Sequence, residues 1–246
     1  MNQRWPGRNA RLRPTPLHRA FPQTGEFTAL AAAFSADAVN EMLALVWRGF
    51  DRLCRDFGLV IASLDDRQIE RSITSALESY MSLERDPMTA YHTKHEAWEM
   101  ETAESDGAHP PAYDIAFVLN ANFRVMWPLE AKLLRTDRQV ADYVNDLRGN
   151  MLTGRYAPFS KSAGMLGYLL SGQAIVAVKA IEAQLSVALL PYPLFHPKRE
   201  HYLSYHERNL EHLEDICDIF DCHHLIMSMV MAPDVLSPAS PAETPT

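Results

Sequence analysis

The sequence predicts an α/β protein: a mixed central β-sheet flanked by helices, with a helical extension at its N-terminus. Three observations carry this. Two long stretches with apolar residues at helical spacing come first, strand-like segments including a hairpin follow, and helical and strand patterns then alternate. With 246 residues, 47% of them hydrophobic and 22% charged, the chain buries one sizeable core. Residues 35–232 therefore read as a single domain with its core at about 63–190.

From Ser35 to Gly58, Val39, Met42, Leu43, Val46, Phe50, Leu53 and Phe57 recur on one helical face, with Ser35 as N-cap and Gly58 as stop. A second helix begins at Ser63, carries Asp65 and Asp66 in its first turn, and buries Ile69, Ile73, Leu77 and Met81 before Pro87. Strands are expected at about 95–101, 112–119 and 124–134, the last two joined by a turn at Asn120-Ala-Asn122.

Thr136 to Arg148 places Val140, Val144 and Leu147 on one face and closes at Gly149, which gives a helix directly after the hairpin. Ala163 to Ser171 is a short apolar run suited to a buried strand, and 174–190 a helix ended by Pro191 and Pro193. Beyond lie a basic, aromatic stretch (Lys198 to Arg208), a polar helix to about Ile216, and a strand from Cys222 to Met231. Residues 233–246, rich in Ser and Pro, read as a disordered tail.

The net charge of −8 argues against a general nucleic-acid coat, but the sign is uneven. Arg4, Arg8, Arg11, Arg13 and Arg19 stand in the first twenty residues without an acid, leaving 18 basic against 31 acidic residues in the remainder. Residues 1–34 are thus a basic, flexible arm before an acidic body. No apolar run reaches the ~18 residues of a membrane span and no secretory pattern opens the chain, so a cytoplasmic protein without a membrane partner is expected. Cys54, Cys217 and Cys222 are then reduced thiols, and Cys217 to His224 reads as core packing rather than a metal knuckle.

In the strand 124–134 alternate residues share a face, so Glu130 and Lys132 emerge side by side. Asp114 opens the neighbouring hairpin strand, and pairing across the turn brings its carboxylate near Glu130. Two acids that hold a hard divalent cation, beside an ammonium that orients a water or neutralises a developing oxyanion, suit phosphodiester hydrolysis. The tripeptide alone is weak: an acid two places before one of five lysines arises about 0.6 times by chance. Its weight comes from lying in a strand, after a strand with an acid and before a helix.

Tyr113-Asp114-Ile115, a hairpin, then Pro128-Leu129-Glu130-Ala131-Lys132 resembles the PD-(D/E)XK nuclease superfamily, the restriction-endonuclease-like fold, over roughly residues 63–190. The resemblance implies that Asp114 and Glu130 bind Mg²⁺, with Mn²⁺ as a substitute, that Lys132 assists the attacking water, and that Glu70 on the upstream helix adds a further carboxylate. Glu78 competes for that last role. Gln139 and Tyr143 resemble the Gln-x-x-x-Tyr element of RecB-like members, although Thr136 to Gln139 also reads as a capping box. Ala112-Tyr113 rather than a proline stands directly before Asp114, and Pro128 falls inside the key strand, which suggests that the strand starts there.

If extended, Ser204, His206 and Arg208 share a face that suits phosphate contacts; the other reading is a helix start with surface charge. His92 and His95 read as surface residues. No P-loop ending follows Gly164-Met165-Leu166-Gly167 and no Gly-x-Ser-x-Gly elbow exists, which disfavours nucleotide hydrolysis and serine-esterase chemistry. The resemblance implies a Mg²⁺-dependent DNA nuclease in restriction or anti-phage defence, working with DNA, with a second copy as a homodimer for cutting both strands, and with partner proteins of a defence system. Two alternatives stay open: a nuclease-like fold that binds nucleic acid without cutting, and a helix-rich interaction protein.

Overall fold

A computed structural model describes residues 36–56, 65–99, 110–156, 158, 160–208 and 219–229. The expected basic arm, the N-cap at Ser35 and stop at Gly58, the helix start at Ser63, the polar helix before Ile216, Cys217 and the tail all lie outside the described residues.

Helices α1 (Ala36–Asp56) and α2 (Asp66–Glu84) open the fold. Asp65 caps α2, its side chain accepting from Gln68 N at 3.0 Å. The apolar face expected on each helix is buried, from Val39 to Leu53 and from Ile69 to Met81. At their crossing a Cβ on Gly49 would stand 2.7 Å from Met81 Cγ, so a bare glycine is what lets the two helices approach.

Strands β1 (Tyr91–Trp98), β2 (Ala112–Leu119), β3 (Asn122–Leu134), β4 (Ser162–Leu169), β5 (Leu190–Pro191), β6 (His201–Glu207) and β7 (Ile219–Ser228) form one mixed sheet. Its order is β1-β2-β3-β4-β7-β6-β5. β1, β2 and β3 are antiparallel neighbours, β3-β4 and β4-β7 are parallel, and β6 returns antiparallel to β7. The crossover from β3 to β4 contains α3 (Ala141–Asp146) and a π-helical turn, Leu147–Met151; α4 (Ala174–Leu185) follows β4.

Each sheet face carries a core. On one, Leu43, Val46, Leu77 and Met81 of α1 and α2 pack on Phe117, Trp127, Leu129 and Leu166. On the other, Tyr143, Leu147, Val178 and Ile181 pack on Val118, Leu134, Met165 and Ile226. This two-sided burial is the layer arrangement expected from the sequence, a mixed sheet flanked by helices.

Several boundaries differ from expectation. β1 begins at Tyr91 rather than near residue 95, α3 begins at Ala141 rather than Thr136, and α4 stops at Leu185, where Ser186 turns left-handed at φ 58°. The stretch expected only to be basic and aromatic is the strand β6. β3 starts at Asn122, not at Pro128. Pro128 lies opposite Ala116, and pairing with β4 begins one residue later, at Leu129. Backbone N–H groups alternate sides along a strand, so the N–H that proline lacks would point toward β4 just short of where the β3–β4 ladder begins.

Candidate active site

The ladder between β2 and β3 runs from the hairpin to the pair Ile115–Leu129 and ends there. β2 continues to Ala112 against β1, and β3 continues to Leu134 against β4. On the edge of β3 that β2 has left, the N–H groups of Ala131 and Leu133 need acceptors. Asp114 Oδ2 accepts from Ala131 N at 2.7 Å, and Glu70 Oε2, reaching over from α2, accepts from Leu133 N at 2.7 Å. Two carboxylates are thus fixed by backbone donors at the point where the strands part.

The β1 side of Asp114 is also irregular. The register passes from His95–Ile115 to Ala97–Tyr113, and Glu96 between them stands at φ 50° while pairing with Arg71 at 2.6 Å. A left-handed non-glycine residue costs about 1–3 kcal/mol and is most often met beside functional groups.

Lys132 Nζ lies 3.2 Å from Glu130 Oε1, 3.4 Å from Glu70 Oε1 and 2.8 Å from Asp146 Oδ2. Acids from α2, β3 and α3 therefore converge on one ammonium. Burial alone would push the Lys132 amine down, but the charges of Glu130, Asp114 and Glu70 and the bond to Asp146 hold it above the ordinary lysine range. It is a fixed cation.

Glu130 is 5% exposed, and burial, reinforced by the charge of Asp114, pushes its carboxyl well above the usual range. Burial also raises Asp114 and Glu70, against the pull of Lys132 in both cases. Four carboxylates against one ammonium leave an excess of negative charge in a poorly solvated place. Glu130 Oε2 is buried with no hydrogen-bond partner.

That donor set fits a hard cation: carboxylate oxygens, one of them free of any other bond, beside an uncompensated negative charge. Asp114 and Glu130 are the residues that would hold it. Among the described residues no three His, Cys, Asp or Glu side chains are already gathered closely enough to enclose an ion, and in this cluster Lys132 ties up oxygens of Glu70, Glu130 and Asp146.

Of the residues expected from the sequence, the structure brings together Asp114, Glu130, Lys132 and Glu70. Glu78, the competitor of Glu70, is tied instead to Ser82 and Thr93, at 2.9 and 2.7 Å. His95, read as a surface residue, is near enough to help hold the Asp114 carboxyl down.

Gln139 and Tyr143 do not join the site. Gln139 is exposed and precedes α3, so the two residues share no helical face, and no side chain caps that helix. The capping-box reading fails with it. Tyr143 is fully buried, its hydroxyl 2.8 Å from His224 Nδ1 and 3.4 Å from Met165 O.

Ser204, His206 and Arg208 do follow the alternation of a strand, but they are buried, not a phosphate-contacting row and not a helix start. Ser204 Oγ bridges His206 Nε2 and His224 Nε2 at 2.7 Å each. Arg208 Nη2 donates to Ser160 O at 2.7 Å, with the guanidinium 4.3 Å from the centre of the Phe220 ring. These polar groups knit the far half of the sheet together.

Asp146 is the member that sequence reasoning missed. The available signal was an acid flanking the apolar face of Val140, Val144 and Leu147 on a helix that must lie over the strand bearing Lys132. Compared with protein-family models, curated proteins and solved structures, the chain matches none.

Proposed function

We propose that the chain is a divalent-cation-dependent nuclease of restriction-endonuclease-like fold that hydrolyses DNA phosphodiester bonds, with Asp114 and Glu130 as ligands of Mg²⁺ or Mn²⁺. The observation that carries the reading is the meeting of Asp114, Glu130, Glu70 and Lys132 at the parting of β2 and β3, with Glu130 Oε2 unpartnered. The run α2-β1-β2-β3-α3-β4 supports it, since it sets these groups on neighbouring elements in the order on which the family resemblance rests.

A bound divalent cation would neutralise phosphate charge and lower the pKa of a coordinated water. The protein's own groups do the rest. Asp114, anchored by Ala131 N–H, presents a carboxylate whose position does not depend on a flexible side-chain partner. Lys132, held protonated, supplies positive charge beside the oxygens that gain negative charge in the transition state, rather than taking a proton from water. Glu70 fixes Lys132 and the β3 backbone together. The body carries an excess of acid, so a cation at this site also lowers the cost of bringing a polyanion near it. Restriction or anti-phage defence is the biological setting this chemistry suits.

Incubation of the full chain with plasmid, single-stranded and branched DNA in Mg²⁺ or Mn²⁺ tests the reading. Cleavage that is lost with EDTA and with Lys132→Ala is expected. A mobility shift with intact DNA in all three forms would replace this reading with that of a non-cutting nucleic-acid binder, and neither shift nor cleavage would end both.

A further inference from the structure

We propose that Asp146 is a positioning residue for Lys132: it draws the ammonium away from the Asp114–Glu130 pair and so keeps Glu130 open to a cation. This rests on the nuclease reading for its purpose, but not for its geometry.

Of the three carboxylates around Lys132 Nζ, Asp146 is nearest, at 2.8 Å against 3.2 Å for Glu130 and 3.4 Å for Glu70. The other two acids of the cluster with backbone bonds are committed: Asp114 to Ala131 N and Glu70 to Leu133 N. Among the described residues Asp146 makes no ion pair or hydrogen bond through its carboxylate except to Lys132. Its side chain is 31% exposed, so it is both the best solvated and the closest of the lysine's partners.

The backbone aims it. Asp146 ends α3, and the chain passes at Leu147 into a π-helical turn, closed by Leu152 N donating to Leu147 O at 3.0 Å. The wider turn buries both Leu147 and Met151 against the sheet. Such single π-turns are frequent at functional sites. Asp146 sits at the junction, beside Leu147, which anchors the turn in the core.

A lysine two residues from Glu130 on the same strand face would otherwise fold onto Glu130 with both of that carboxylate's oxygens within reach. With Asp146 present, only Oε1 is engaged and Oε2 is left free. A cation and the Lys132 ammonium compete for Glu130, and Asp146 tips that competition toward the cation.

The test uses Mn²⁺ alone as probe, by calorimetric or paramagnetic titration of the full chain without DNA. Asp146→Asn, which keeps shape and removes charge, should weaken Mn²⁺ binding by roughly 3–10-fold, the range of a partly exposed charge-assisted bond. Asp142→Asn, an exposed acid on the same helix, should change it much less, which separates positioning from net charge. In a Lys132→Met background, Asp146→Asn should have no further effect; additive losses would mean that Asp146 acts independently of the lysine and would overturn the proposal.

A second readout needs no metal. The rate at which an amine-reactive acylating reagent modifies Lys132, followed against pH by mass spectrometry, should rise at lower pH in Asp146→Asn, because the amine loses its nearest counter-ion. An unchanged profile would also overturn the proposal. If wild-type protein binds no Mn²⁺, the nuclease reading falls while this profile still decides the role of Asp146.

Discussion

Asp114 accepts from the backbone N–H of Ala131, a donor that an uninterrupted β2–β3 ladder would have paired with the backbone of β2. The carboxylate therefore has a structural duty as well as a chemical one, and the two can be separated. Asp114→Asn keeps an oxygen acceptor for Ala131 and removes the charge. Asp114→Ala leaves a buried N–H without a partner.

Chemical denaturation should accordingly show Asp114→Asn within about 1 kcal/mol of wild type and Asp114→Ala less stable by about 1–3 kcal/mol. Both should lose Mn²⁺ binding. Equal stability of the two variants would mean that the Ala131 bond contributes nothing to the fold.

Glu130 gives a prediction about pH. Burial, then the charge of Asp114, raises its folded-state pKa above the unfolded value. The stability it contributes is thus fully present below the unfolded pKa and lost as pH rises through the folded pKa. Glu130→Gln resembles the protonated form and does not titrate. Without divalent cation the Gln variant should be the more stable at pH 8, with the gap closing toward pH 4. Mn²⁺ should raise the Tm of wild type and not that of the variant. A Gln variant less stable than wild type at pH 8 would show that the Lys132 pairing outweighs burial.

Tyr143 separates a structural role from a catalytic one. Its hydroxyl bonds to His224 and Met165 O inside the core, away from the carboxylates. Tyr143→Phe should cost about 1–2 kcal/mol of stability and leave the rate of DNA cleavage at saturating cation unchanged, provided the protein is assayed well below its Tm. A large fall in cleavage rate without a fall in stability would return Tyr143 to the site.

What could be read from the sequence and what could not divides along a physical line. Alternation on a strand is a local rule, so Glu130 and Lys132 were legible as neighbours, and the turn at Asn120 placed Asp114 within reach. The spacing of Ile69, Ile73 and Leu77 fixed which side of α2 turns inward, but Glu70 and Glu78 stand in the same relation to that side, so only the resemblance favoured Glu70.

Gln139 and Tyr143 failed because four-residue spacing means one face only inside a helix, and the helix starts after Gln139. Ser204 and His206 failed for a different reason: alternation tells which residues share a face, not whether that face meets solvent, and here the face of Ser204 and His206 is the covered one while Tyr205 on the other is exposed. Asp146 depends on a π-turn, for which local sequence carries little signal.

Four buried histidines weigh against the folded state as pH falls. Trp47 Nε1 donates to His201 Nδ1 at 3.2 Å, which leaves the proton of a neutral imidazole on Nε2, 3.2 Å from His223 Nδ1. On the other network Ser204 bridges His206 and His224. Burial holds all four rings below the ordinary histidine pKa, His201 at about 2, His224 at about 3, and His206 and His223 at about 4. With folded pKa values depressed, the unfolded chain binds more protons below pH 6.5, so this stability is complete above that pH and is lost as pH falls toward the folded values. At pH 5 each ring costs about 2 kcal/mol. The raised carboxylates Glu130, Asp114 and Glu70 act in the opposite direction, and the expectation is that four rings against three carboxylates leave a net loss. Urea unfolding should therefore weaken steadily from pH 7 to pH 5. His223→Gln should reduce that slope by about one proton's worth. Stability that holds level between pH 7 and pH 5 in wild type would mean that the carboxylates, not the histidines, govern the acid side.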